Sequence, residues 1–159
     1  MRTLSCIALL ILVLAACSRS ETSAATASTA TATQGAASAS TTVGGVTLQT
    51  STVAIADLNA AIAERYGIDR SRQGVLLLVT VRDGAGNGTD PGDLQLQATA
   101  GTLTEAAQPL LLRAIVTGDL TDYIGAFHTG APATVQFNVT ATRGGSRADI
   151  ATTTELYAR

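Results

Sequence analysis

Ala133-Thr134-Val135-Gln136-Phe137-Asn138-Val139-Thr140-Ala141 is the stretch whose reading decides the fold. Val135, Phe137 and Val139 alternate with Gln136, Asn138 and Thr140, a period of two that sends one row of side chains into a core and the other into water. Arg143-Gly144-Gly145-Ser146 follows, and two glycines between extended runs make a hairpin turn because both tolerate positive φ. The chain then returns through Arg147 to Tyr157, rich in Thr and closed by Leu156-Tyr157. An antiparallel pair with one apolar face needs a second apolar layer, which the rest of the chain must supply.

Working outward, Asp93 to Ala100 repeats the alternation, with Leu94, Leu96 and Ala98 inward. Gly74 to Arg82 carries Val75, Leu76, Leu77, Leu78, Val79 and Val81, apolar on both faces as in a central strand. Val46 to Ile55 reads as a first strand, and Pro109 to Thr117 and Asp122 to His128 as two more around Gly118-Asp119. One helix interrupts the pattern. Asp57 opens it, Leu58, Ala61, Ile62, Arg65 and Tyr66 line one face, and Gly67 stops it so that Ile68 can fold back. The expected fold is all-β: an immunoglobulin-like antiparallel β-sandwich of about seven strands, with one short helix after the first strand.

The N-terminal region has a different character. Arg2 precedes an apolar run from Leu4 to Ala16 that is shorter than the roughly 20 residues a bilayer span needs, so it reads as an export signal. Its end, Leu14-Ala15-Ala16-Cys17, resembles the lipobox of bacterial lipoproteins. That resemblance implies cleavage before Cys17, diacylglycerol on its thiol and acylation of the new amino terminus. Ser18 to Thr42 is nearly all Ala, Ser and Thr, with nothing apolar larger than Ala to bury, and reads as a flexible tether. The expected organisation is therefore a signal over 1–16, a lipidated Cys17 and tether over 17–42, and the sandwich over 43–159. Ser18 stands where, by resemblance to bacterial sorting rules, Asp would hold the protein at the inner membrane. Attachment to the outer membrane, facing the periplasm, is expected.

Composition narrows the chemistry. The 159 residues carry ten basic side chains, all Arg, against twelve acidic ones. This slightly acidic balance lacks the basic field of a nucleic-acid binder, so no nucleic-acid partner is expected. It also offers no polybasic patch for anionic lipid, which leaves membrane attachment to the acyl chains. Both cysteines, Cys6 and Cys17, precede the domain, which excludes thiolate metal sites, redox relays and cysteine nucleophiles there. Two Phe, three Tyr and no Trp leave no stacking platform for sugars or bases.

Five segments together carry a family resemblance. Ala61-Ile62-Ala63-Glu64-Arg65-Tyr66-Gly67-Ile68-Asp69-Arg70-Ser71 is followed by Gly74-Val75-Leu76-Leu77-Leu78-Val79-Thr80-Val81. Then come Leu110-Leu111-Leu112-Arg113-Ala114-Ile115, Asp122-Tyr123-Ile124-Gly125-Ala126-Phe127 and Thr134-Val135-Gln136-Phe137-Asn138-Val139. In order and spacing these are similar to a family of small periplasmic proteins catalogued as domain of unknown function 4426. The similarity covers about Val46 to Tyr157 and departs from the family in the loop Thr102 to Gln108. It implies a fold and a compartment and carries no activity.

Candidate sites are few. The loop Asp83 to Asp93, with four glycines and three aspartates, invites a calcium reading. Set against an EF-hand loop, however, it has Ala85 at a ligand position, Leu94 in place of the bidentate Glu and no preceding helix. A turn at Asn87-Gly88 is the plainer expectation. His128 is the single histidine, and no Gly-x-Ser-x-Gly elbow accompanies it, so it reads as a solvated strand-end residue. Arg113 alternates with Leu111 and Ile115, which points its guanidinium into an apolar layer. There it needs either a carboxylate, with Glu105, Asp119 and Asp122 nearest in sequence, or an anionic ligand. Arg70, Arg113 and Tyr123 are the candidate binding residues, with no catalytic residue, metal site or cofactor expected. The expected function is a non-enzymatic, lipid-anchored periplasmic module that binds another envelope protein. The alternatives are a small-ligand or calcium-binding protein and, less favoured, a hydrolase.

Overall fold

Two antiparallel sheets face one another in the computed structural model, which describes residues 37–118 and 120–158. The strands are β1 (Ser38–Val43), β2 (Val46–Ala54), β3 (Val75–Arg82), β4 (Gln95–Thr102), β5 (Gln108–Leu110), β6 (Arg113–Thr117), β7 (Leu120–Phe127), β8 (Ala133–Arg143) and β9 (Ser146–Leu156). One sheet runs β1-β2-β3-β7-β6 and the other β5-β4-β8-β9. A 3₁₀ turn (Ile55–Asp57) and the single helix α1 (Ala60–Arg65) lie between β2 and β3. The β-sandwich read from the sequence is therefore the fold, with nine strands among the described residues rather than about seven.

The core follows from the alternation. Val135, Phe137, Val139 and Ala141 of β8 meet Val75, Leu77, Val79 and Val81 of β3 across the gap between the sheets. Phe127 and Phe137 pack edge to face at 6.3 Å and 84°, a favourable geometry for two aromatic quadrupoles. The expected hairpin forms as read: Arg143 pairs with Ser146, and Gly144 and Gly145 both take positive φ. A second hairpin of the same kind joins β1 to β2 through Gly44 and Gly45.

Two boundaries differ from expectation. The described part of the stretch read as tether is already folded, since β1 begins at Ser38 and buries Ala39 and Val43. Small residues suffice there because β1 is wedged between β2 and β9. Beneath it the Thr50 hydroxyl donates to the Ala39 carbonyl at 3.2 Å and lies 2.6 Å from the Thr152 hydroxyl. The signal, Cys17 and the rest of the tether lie outside the described residues. Second, Pro109 to Thr117 is two strands, not one. The chain breaks at Leu111-Leu112, so that β5 joins β4 in one sheet and β6 joins β7 in the other. Gly125 permits the crossing, because a Cβ there would stand 2.9 Å from the side chains of Leu110 and Leu112.

The helix also starts later than expected. Asp57 closes the 3₁₀ turn, and Asn59 caps α1 by accepting from the Ala61 amide at 2.9 Å. Gly67 ends the helix with φ +62°, and the Ile68 amide folds back to the Ala63 carbonyl at 2.8 Å, as the sequence implied.

Candidate functional site

The outer face of the five-stranded sheet is apolar and incompletely covered. Strand alternation sends Leu77, Val79 and Phe127 to the sandwich core, which forces Leu76, Leu78 and Ile124 outward. Leu58, Ala63, Tyr66 and Ile68 from the α1 region pack on this second layer. A six-residue helix cannot span five strands, and two adjoining cavities result. One, of about 280 Å³, has walls of Leu58, Ile62, Leu78 and Ile115. The other, of about 320 Å³, is edged by Asp69, Arg72, Arg113 and His128. Tyr66, Leu76 and Ile124 line both, so the two form one groove. Ile62 and Leu111 stand along it 46% and 88% exposed.

The ends of the groove differ in charge. At one end Asp122 pairs with Arg82 at 3.3 Å, which neutralises both. At the other, Arg113 donates to the Tyr66 carbonyl at the helix terminus and, among the described residues, neither Arg113 nor Arg72 has a carboxylate within ion-pair distance. His128 Nδ1 lies 3.3 Å from the Gln73 carbonyl, which can only accept, so Nδ1 carries the hydrogen. Asp69 is the local anion. Its carboxylate accepts from the Ser71 hydroxyl and amide at 2.6 and 2.9 Å, and these bonds, with the charges of Arg72 and His128, hold it below the usual carboxylate range.

The three residues singled out from the sequence do not form one site. Arg113 lies on the outer face opposite Ile124, exposed rather than in an apolar layer; β6 is an edge strand, so its side chains are covered on one flank alone. None of its candidate carboxylates seals it: Asp122 pairs with Arg82, Glu105 has no ion pair among the described residues, and Asp119 lies outside them. Tyr123 points the opposite way, against the sandwich core, where burial and the charge of Asp90 raise its phenol above the ordinary value. Arg70 is exposed and donates to the Ala56 carbonyl at 3.1 Å, bracing the 3₁₀ turn. Sequence reasoning passed over Arg72 and Tyr66 and placed His128 in solvent, where it is half-buried at the groove's cationic end. The available signal was positional: His128 follows β7 in phase with Ala126 and Ile124, on the face that also receives Arg113.

The Asp83–Asp93 loop is built from backbone bonds. Asp83 accepts from the amides of Ala85 and Asn87, both at 2.8 Å, which lowers its carboxyl, and the turn falls at Gly84–Gly86 rather than Asn87-Gly88. Asp90 accepts from the Gly92 amide and Asp93 from the Gly144 amide, so the three carboxylates serve three separate turns. Among the described residues no group of three or more His, Cys, Asp or Glu side chains converges as metal ligands would. Arg143 joins this end of the sandwich, donating to the carbonyls of Pro91 and Gly44.

A family model described as Domain of unknown function (DUF4426) matches residues 40–158. The chain belongs to the DUF4426 family. A crystal structure of a DUF4426 family protein from Pseudomonas aeruginosa PAO1 is similar, with a TM-score of 0.60 at 15% identity, covering 77% of this chain and 96% of that one. FetP of uropathogenic Escherichia coli strain F11, expressed recombinantly in the periplasm, has a TM-score of 0.51 at 12% identity, covering 75% and 93% of the two chains. A copper-bound variant of the same FetP has a TM-score of 0.53 at 12% identity over 80% and 94%. At such identities these likenesses show that the DUF4426 fold is shared. No curated protein matches the chain.

Proposed function

We propose that this DUF4426 protein is a non-enzymatic binding module of the periplasm, lipid-anchored through Cys17 at the outer membrane, that pairs with an extended segment of another envelope protein. The open edge at β6 carries this reading. Both ends of the sheet have one hydrogen-bonded neighbour, but β1 lies against β9 of the facing sheet, whereas β6 has β7 beside it. Beyond Arg113 at its start β6 carries no Pro and no charged residue to blunt the edge, and Val116 is 70% exposed beside exposed Ala114 and Thr117. An added strand would satisfy its free backbone groups and cover Val116. The lipobox resemblance supports the anchor, and expression of FetP in the periplasm is consistent with the compartment. The copper of the FetP variant is not carried over, since its likeness to this chain is one of fold.

A photoreactive residue at position 116 should trap one defined protein in envelope preparations. The same residue at Asn138, on the outer side of a central strand, should not, and Val116→Asp should weaken retention of the trapped partner. Equal trapping from both positions would overturn the reading. Mass spectrometry of the mature N-terminus tests the anchor, which requires an acylated Cys17.

A further inference from the structure

We propose that the groove between α1 and the outer face of the five-stranded sheet binds a single-chain anionic amphiphile, a carboxylate on an unbranched hydrocarbon tail. Three independent observations converge on this ligand. The first is shape: two adjoining cavities of about 280 and 320 Å³ share Tyr66, Leu76 and Ile124, and so form a slot rather than a round pocket. Each lies near the lower end of the roughly 300–1,000 Å³ usual for ligand sites. The slot follows β7 from His128 to Asp122, which at about 3.3 Å per residue is on the order of 20 Å.

The second is charge. One end gathers Arg113, Arg72 and His128 around a single carboxylate, Asp69, already engaged by Ser71. The guanidinium of Arg113 uses one donor on the Tyr66 carbonyl and keeps the others for a ligand. A carboxylate matches this planar fork in both shape and charge. At the far end Arg82 already neutralises Asp122, so nothing there calls for a second charged group.

The third is the pair of apolar side chains left in water beside the slot. Leu111 is 88% exposed at the cationic mouth and Ile62 is 46% exposed in the wall of the far cavity, and a tail running from one cavity into the other would cover both. A purely polar anion would leave them bare, and a neutral hydrocarbon would ignore the arginines. The groove uses the outer-face side chains of Arg113 and Ile115 in β6, not the free backbone groups of that strand, and so does not depend on the strand-pairing reading.

The test uses the intact lipid-anchored protein in phosphatidylcholine nanodiscs and a dodecanoate bearing a photoreactive group at its tail end. Labelling is expected at Ile62, Leu78 or Ile115. Unlabelled dodecanoate should compete, while dodecanol, with the same tail and no charge, should compete at least about tenfold less well, as loss of a charge-assisted bond implies. Arg113→Gln and Arg72→Gln together should lower labelling about tenfold, with Arg70→Gln unchanged as a control outside the groove. Melting curves of all variants establish that each is folded. Equal competition by dodecanol, labelling scattered over the surface, labelling indifferent to Arg113 and Arg72, or capture of anionic vesicles without labelling by dodecanoate would each overturn the assignment.

Discussion

The two faces of the five-stranded sheet are made from one strand set and end up unlike. In β3, Leu77 and Val79 point into the sandwich and are fully buried, whereas Leu76 and Leu78 point the other way, where a one-and-a-half-turn helix is the main cover. The inner face is sealed by four strands and an edge-to-face phenylalanine pair, and the outer face keeps a groove. The larger core lies on one side of the sheet, and the smaller, partly open layer on the other is where we propose that a ligand sits.

That contrast is open to attack by substitution. The largest effect is expected from Phe137→Ala, which empties the centre of the inner layer. It should cost about 3–5 kcal/mol, read as a lowered urea midpoint. Leu77→Ala and Leu78→Ala compare the faces directly, since the residues are adjacent and differ in which side they serve. The first should cost about 3–4 kcal/mol and the second, half-exposed over the groove, about 1–2 kcal/mol. Equal losses would mean that the outer layer is as tightly packed as the core.

Thr50→Val probes the polar seam that closes the β1 edge. It keeps the shape but removes the partner of the Thr152 hydroxyl, at about 1–3 kcal/mol. Acid gives the smallest effect. Asp149 is held low by the Thr140 hydroxyl at 2.5 Å and by Arg147, as Asp69 and Asp83 are by their own turn hydrogen bonds. A depressed folded value adds stability that is complete above the unfolded value of about 3.9 and is lost as pH falls through the folded value. The melting temperature should therefore fall below about pH 4, and less steeply in Asp149→Asn.

The sandwich was legible because β4 and β8 alternate, β3 is a nearly unbroken apolar run, and the glycine pair at 144–145 marks the turn into the Thr-rich β9. β1 was not, because a run of Ala, Ser and Thr has too little apolar contrast to register. The pair Gly44-Gly45 between Val43 and Val46 was the signal left unread, since it turns the hairpin that contains β1. Periodicity also ran straight through Leu111-Leu112, where the chain changes sheets. A sheet change leaves the local apolar count untouched and depends on a distant glycine, Gly125. For the same reason Arg113 was placed on the wrong side of a layer, and Tyr123 was grouped with it although one residue of register separates the faces. The groove itself is a property of how little α1 covers, which no stretch of the chain records alone.

Arg143 ties together segments far apart in the chain: the β1–β2 turn through Gly44, the Asp83–Asp93 loop through Pro91, and its own hairpin. A bolt shared by three loops makes their lengths interdependent. Insertions in one would have to be matched in the others, so drift at this end of the sandwich should come as coordinated sets of changes while the α1 side varies piece by piece.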